Sequence, residues 1–190
     1  MMPPTATRTP FHMTRCVALL RGIGPSPNMR NEHLRRAAEG VGLQAVGTVI
    51  SSGNVVFETD DADLPGLESR LETAWFQTLG FNSTTIIRTQ AELERMLDAE
   101  PFGKLEHGPR TYLLVTFGKA RLLPRFKVPY RPRGRGYRVI AARPREIFTV
   151  TDNTQVPTPD VMSWIEEEFG KEVTSRTWLT VGRILKRMGN

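Results

Sequence analysis

A chain of 190 residues, 39% of them hydrophobic, is long enough to bury a core without staples, as one domain or as two closely fused halves. Its formal net charge of +6 and pI near 10.0 set up a field that attracts phosphates, acidic lipids or acidic proteins regardless of their sequence. A single cysteine excludes an internal disulfide framework, and no stretch is apolar enough for a signal peptide or a membrane span, so a reducing, cytoplasmic setting is expected.

Residues 1–12 hold prolines and threonines and are expected to form a disordered extension. The apolar run at residues 17–20 lacks period-two alternation, which predicts a strand covered on both faces and central in its sheet; Cys16, beside it, is expected to be a buried thiol. A Gly/Pro-rich loop at 22–27 leads to a helix with Leu34, Ala37, Ala38 and Val41 on one face, Asn28 as its cap and Gly40 or Gly42 as its stop. Short strands over 45–50 and 54–58, joined by the turn Ser51-Ser52-Gly53, read as a hairpin. A second amphipathic helix then buries Leu64, Leu67, Leu71, Ala74, Trp75 and Leu79, and a strand over 84–88 closes the unit.

This β-α-β-β-α-β order is that of a ferredoxin-like half, with two helices over one face of a four-stranded antiparallel sheet. The remainder reads as a second, modified copy. It holds a short helix opened by the capping box Thr89-x-x-Glu92 and strands over 112–116, 137–141 and 146–150. A helix from Thr158-Pro159 to Gly170 follows, and a last helix over 175–188 with Arg176, Thr180, Arg183 and Arg187 on its basic side. The expected fold is therefore α+β, two ferredoxin-like halves of one compact unit, 13–88 and 89–190.

Three segments carry a family pattern: Val17-Ala18-Leu19-Leu20-Arg21-Gly22-Ile23, Ser52-Gly53-Asn54-Val55-Val56-Phe57, and Ser175-Arg176-Thr177-Trp178-Leu179-Thr180-Val181. With Arg88-Thr89 and Pro101-Phe102 they make the chain resemble the bacterial domain-of-unknown-function family numbered 1697, from Met13 onward. The resemblance implies no established activity. The chain departs from the family pattern at Gly24 with Pro25-Ser26-Pro27, at Ser51 where relatives carry Gln, and at Thr177 and Leu179 where relatives carry asparagines.

Strand connection places Arg21, Gly22 and the turn containing Ser52, Gly53 and Asn54 at one sheet edge, together with the first helix's N-terminus. A guanidinium, neutral hydrogen-bonding groups and unpaired helix N–H groups suit a phosphate or carboxylate. The alternative reading gives the glycines to backbone geometry, Asn54 to its turn and Arg21 to solvent. A second candidate is the acid-free segment 121–145, where Arg125, Lys127, Arg131, Arg133, Arg135 and Arg138 alternate with Tyr130 and Tyr137. Its arginines would neutralise nucleic-acid phosphates and its tyrosines would stack on bases; otherwise Arg131-Pro132-Arg133-Gly134-Arg135-Gly136 is a solvated, flexible loop.

Catalytic and metal-binding patterns are missing from the sequence: His12, His33 and His107 lie apart, Cys16 has no activating neighbour, and Glu166, Glu167 and Glu168 read as a solvated helix face. No Walker or dinucleotide motif occurs, and no cofactor is expected. The sequence thus points to a binding protein for an anionic small molecule. Its alternatives are nonspecific nucleic-acid binding and an enzyme on an anionic metabolite with Arg21 as electrophilic clamp.

Overall fold

The structure, a computed structural model, describes residues 13–22, 30–50, 53–152, 154 and 161–189. The expected extension 1–12, the cap Asn28, the turn residues Ser51 and Ser52 and the helix start Thr158-Pro159 lie outside the described residues. The first sheet is built from β1 (Thr14–Leu20), β2 (Gln44–Thr48), β3 (Asn54–Thr59) and β4 (Thr85–Thr89), with α1 (Asn31–Gly40) and α2 (Leu64–Leu79) as the crossovers. After α3 (Gln90–Asp98) comes a second sheet of β5 (Thr111–Gly118), β6 (Tyr137–Arg143), β7 (Glu146–Asp152) and β8 (Val173–Thr177), with α4 (Val161–Phe169) before β8 and α5 (Trp178–Met188) after it. The strand orders β2-β3-β1-β4 and β6-β7-β5-β8 are the same when the strands of each half are counted from its start, and every pairing is antiparallel. The fold is of the mixed α+β class.

β1 is central, between β3 and β4, and covered on both faces as its composition demands. Cys16, Ala18 and Leu20 pack with α1 and α2 around Trp75, while Val17 and Leu19 face the other way. That second face meets Val115, Phe117 and Phe148 of the second sheet, with Leu93 and Met96 of α3 and Val181, Ile184 and Met188 of α5. The largest core therefore lies between the two sheets. Burying each of these apolar side chains contributes about 1.5–3 kcal/mol, so the central layer binds the halves strongly. The outer face of the second sheet is closed by α4 and by the segment that stands where the first half has α1; Phe126, Tyr130 and Trp164 meet there.

Helix starts follow local chemistry. Asp63 caps α2 through Gly66 N–H with Pro65 in the first turn, and Thr89 with Glu92 forms the expected capping box on α3. The expectation for the last helix needs correction. Residues 173–177 are strand β8, and α5 opens only at Trp178 behind the cap Thr177, whose hydroxyl accepts from Thr180 N–H. The β-branched run Val173-Thr174 favours pairing with β5, and extrapolating the helical spacing of Trp178, Val181 and Leu185 backwards concealed it. Arg176 accordingly leaves the helix's basic side and enters the sheet.

Candidate functional site

Arg21 follows β1 directly. Its N–H donates to Thr84 O at 2.9 Å, and its guanidinium reaches Glu166 of α4 at 2.6 Å. Glu166 is thus engaged across the halves and does not belong to the solvated face expected of it. Gly22, exposed, takes φ 70°, a backbone state costly for other residues. Gly53, at φ 67°, accepts from Leu20 N–H at 2.8 Å, so the strand end and the β2–β3 connection do converge. Asn54 is 1% exposed; its Nδ2 donates to Val49 O at 2.9 Å, closing that connection.

Asn54 Oδ1 accepts from Arg176, the residue that dominates this rim. Arg176 Nε donates to Asn54 Oδ1 at 2.5 Å, Nη1 to Thr174 Oγ1 and Ser175 O, and Nη2 to Leu20 O at 2.8 Å and Gly53 O at 3.2 Å. All five guanidinium N–H groups are used, and every acceptor is neutral. Among the described residues no carboxylate pairs with it. Burial therefore pushes the Arg176 pKa down, to about 10.

Beside this cation opens a cleft of about 520 Å³ between the ends of β1 and β8 and the facing sides of α4 and α5. Its walls include Arg21, Arg176, Glu166, Ser175, Thr177 and Thr180. Arg21 Nε is buried here with no hydrogen-bond partner among the described residues. The N-terminus of α1, expected as the third wall, lines no part of the cleft among the described residues; α5, capped at Thr177, supplies a helix N-terminus in its place. The arrangement offers positive potential, hydroxyl donors and one carboxylate already tied to Arg21, so it can accept an anion.

The second candidate segment lies elsewhere. Arg125, Lys127, Arg131, Arg133, Arg135 and Arg138 are all exposed. Tyr137 is 2% exposed and packs on Trp164 at 5.2 Å, and Tyr130 stacks on Phe126 at 4.1 Å while its backbone bridges Val139. The aromatic residues seat the segment on α4, and its cations face solvent. Among the described residues the first sheet offers no bare aromatic face: Phe57 packs under α1 and α2, and the opposite face is the central core. Among the described residues no group of three or more His, Cys, Asp or Glu side chains could hold a metal ion, and no helix is long and apolar enough to cross a membrane. Cys16 is fully buried, with its thiol pushed up to about 12 by desolvation and by Glu92.

Sequence reasoning passed over Glu166, Arg176, Thr177 and Thr180 as site residues. Arg-Thr precedes an amphipathic segment at both 88–89 and 176–177, but the same pair also occurs at 8–9 and 110–111, so the sequence alone did not single it out.

The architecture is that of an α+β protein of two linked four-stranded sheets with a polar cleft at one end of their interface. The chain belongs to the family of proteins of unknown function DUF1697, whose family pattern matches residues 13–148. It is similar in fold to a conserved bacterial protein of Streptococcus pneumoniae, with a TM-score of 0.70 at 20% identity, over 94% of this chain and 100% of that one. No curated protein matches the sequence.

Proposed function

We propose that the protein is a small cytoplasmic binding protein whose two halves, 13–88 and 89–190, form one unit that takes an anionic small molecule in the cleft at the Arg21 rim. Arg21, which lines the cleft and is partly exposed, is the direct cationic contact. Gly22, at φ 70°, lines the cleft without a side chain. Gly53 and Asn54 hold Arg176, and Ser52, outside the described residues, adjoins them in sequence.

The observation that carries this reading is the cationic cleft itself: two guanidinium groups against one carboxylate, with the buried Arg176 lacking any charged partner among the described residues. An anion in the cleft would offset part of the desolvation cost of Arg176. The test is a thermal-shift and calorimetric screen of organic acids and phosphates against the wild type and Arg21→Ala. The Arg21–Glu166 pair is about a third exposed, so its loss costs at most about 1 kcal/mol. Binding should fall at least tenfold in Arg21→Ala while the melting temperature stays within a few degrees; equal binding by both proteins removes Arg21 from the site.

A second reading is nonspecific nucleic-acid binding by the exposed cations of the segment 125–138, favoured by the lack of any acidic residue in that stretch. With its tyrosines packed inward, this binding would rest on phosphate neutralisation alone and fall steeply with salt. Retention on DNA that is unchanged between 50 and 200 mM salt contradicts it.

A further inference from the structure

The Arg176 clasp has a twin at the opposite end of the interface. Arg88 is the fourth residue of β4 as Arg176 is of β8, and each is followed by the threonine that caps the next helix. Arg88 Nη2 donates to Gly118 O at 2.9 Å and Arg145 O at 3.1 Å, and Nη1 to Ile87 O at 2.8 Å. The counterparts for Arg176 are Leu20 O, Gly53 O and Ser175 O. Gly118 N–H donates to Arg145 O at 2.9 Å as Leu20 N–H does to Gly53 O at 2.8 Å. One residue on, Lys119 pairs with Glu72 of α2 at 2.5 Å, as Arg21 pairs with Glu166 of α4 at 2.6 Å. Each half thus grips the other through the same set of bonds, a repeat visible in contacts although the two halves share little sequence.

The two ends have diverged in one respect, their carboxylates. Arg88 Nε meets Glu146 Oε1 at 2.9 Å, where Arg176 Nε meets the neutral Asn54. Three residues after Thr89 stands Glu92, whose Oε2 accepts from Thr89 N–H at 2.7 Å; three residues after Thr177 stands Thr180. One helical turn before Glu72 stands Glu68, buried and accepting from Ile87 N–H, where α4 has Met162 one turn before Glu166. Around Arg88, the acids Glu68, Glu72, Glu92 and Glu146 are matched with Arg88, Lys119 and Arg145; at the other end Arg21 and Arg176 face the single carboxylate of Glu166, and the cleft is lined by the shorter Thr180 and the neutral Met162.

From this divergence we infer that the ligand is an organic carboxylate whose carboxylate group takes, against Thr177 and Thr180, the place that the Glu92 carboxylate fills at the twin end. The inference rests on the anion-binding reading above and narrows it. One surplus positive charge in a partly enclosed cleft is matched by one negative charge. A phosphate monoester brings nearly two, and its second charge would be desolvated without a partner. Thr180 also leaves open the volume that the longer glutamate occupies at the twin, and Arg21 lines that opening.

Propionate, the free counterpart of a glutamate side chain, is the probe. In amide-resolved NMR titrations at constant ionic strength, propionate should shift Thr177, Thr180 and Arg21 Nε–H saturably, and inorganic phosphate at pH 7.5 should bind no more tightly. Thr180→Glu should supply the carboxylate from within the chain, as Glu92 does, and weaken the propionate response at least tenfold. The fold should be kept, because the substitution completes a capping box. No response at the cleft to propionate or phosphate overturns the anion-binding reading and this inference with it. A cleft response that survives Thr180→Glu, or phosphate binding tenfold tighter than propionate, overturns the carboxylate assignment alone and leaves the anion cleft standing.

Discussion

Replacing Arg176 by lysine keeps the buried charge and removes the planar fork, so it isolates what the hydrogen-bond geometry contributes. The guanidinium satisfies Asn54 Oδ1, Thr174 Oγ1, Ser175 O, Leu20 O and Gly53 O. An ammonium group has three donors on one atom and leaves at least two of these acceptors without Arg176's bond. Gly53 O retains Leu20 N–H and Leu20 O retains the Thr174 hydroxyl at 3.4 Å; Asn54 and Thr174 are buried, and Ser175 is half-buried. At about 1–3 kcal/mol for each buried acceptor left wanting, the loss centres on about 3 kcal/mol. For a chain of this size that lowers the melting temperature by about 6–12 °C. Urea denaturation followed by tryptophan fluorescence measures it, because Trp178 and Trp75 lie in the central and first-sheet cores. The midpoint should fall with an unchanged slope. A loss under about 0.5 kcal/mol would mean that the clasp is held by charge and packing alone, and the reasoning from its five bonds would fail.

Two further outcomes follow from the same structure. Gly118→Ala places a Cβ at 2.6 Å from Leu122 Cδ2 and 2.7 Å from Ala120 O, the latter backbone that cannot swing aside, so destabilisation of about 1–3 kcal/mol is expected by calorimetry; a neutral substitution would contradict the contact. Cys16 titrates near 12 folded against 9.0 unfolded. Below pH 9 both states hold the proton and stability is insensitive to it; above pH 9 only the unfolded state releases it, and stability falls as pH rises. The stability difference between wild type and Cys16→Ala should therefore shrink by about 1 kcal/mol from pH 8.5 to pH 10, and a constant difference would refute the burial argument.

Much of the fold was legible in the sequence because local patterns and tertiary demands agree. The unbroken run Cys16-Val17-Ala18-Leu19-Leu20 required cover on both faces, and the structure supplies α1 and α2 on one side and the second sheet with α3 and α5 on the other. The Thr89-x-x-Glu92 signature stood for a real capping box because both partners of that box are local. β8 was illegible for the opposite reason. Its five residues are polar or β-branched, and what makes them a strand is the distant edge of β5.

The site followed the same division. That Arg21 and Gly53-Asn54 share a rim follows from strand connection and was readable. Which helix N-terminus joins them depends on how the second half docks, and no local pattern encodes docking. Arg176 illustrates the limit: as a residue type it reads as surface charge, and only the acceptors Leu20 O and Gly53 O, more than 120 positions away, explain its burial. The conversion of Glu166 from a solvated face to the partner of Arg21 has the same origin.

The cationic cleft is tested most directly by a crystal structure determined from crystals soaked in bromide, whose anomalous scattering locates anions without prior assumption. The account predicts a bromide within hydrogen-bond reach of the Arg21 guanidinium and the Thr177 and Thr180 hydroxyls. Bromide found only along the exposed arginines of residues 125–138, with the cleft holding none, would contradict it.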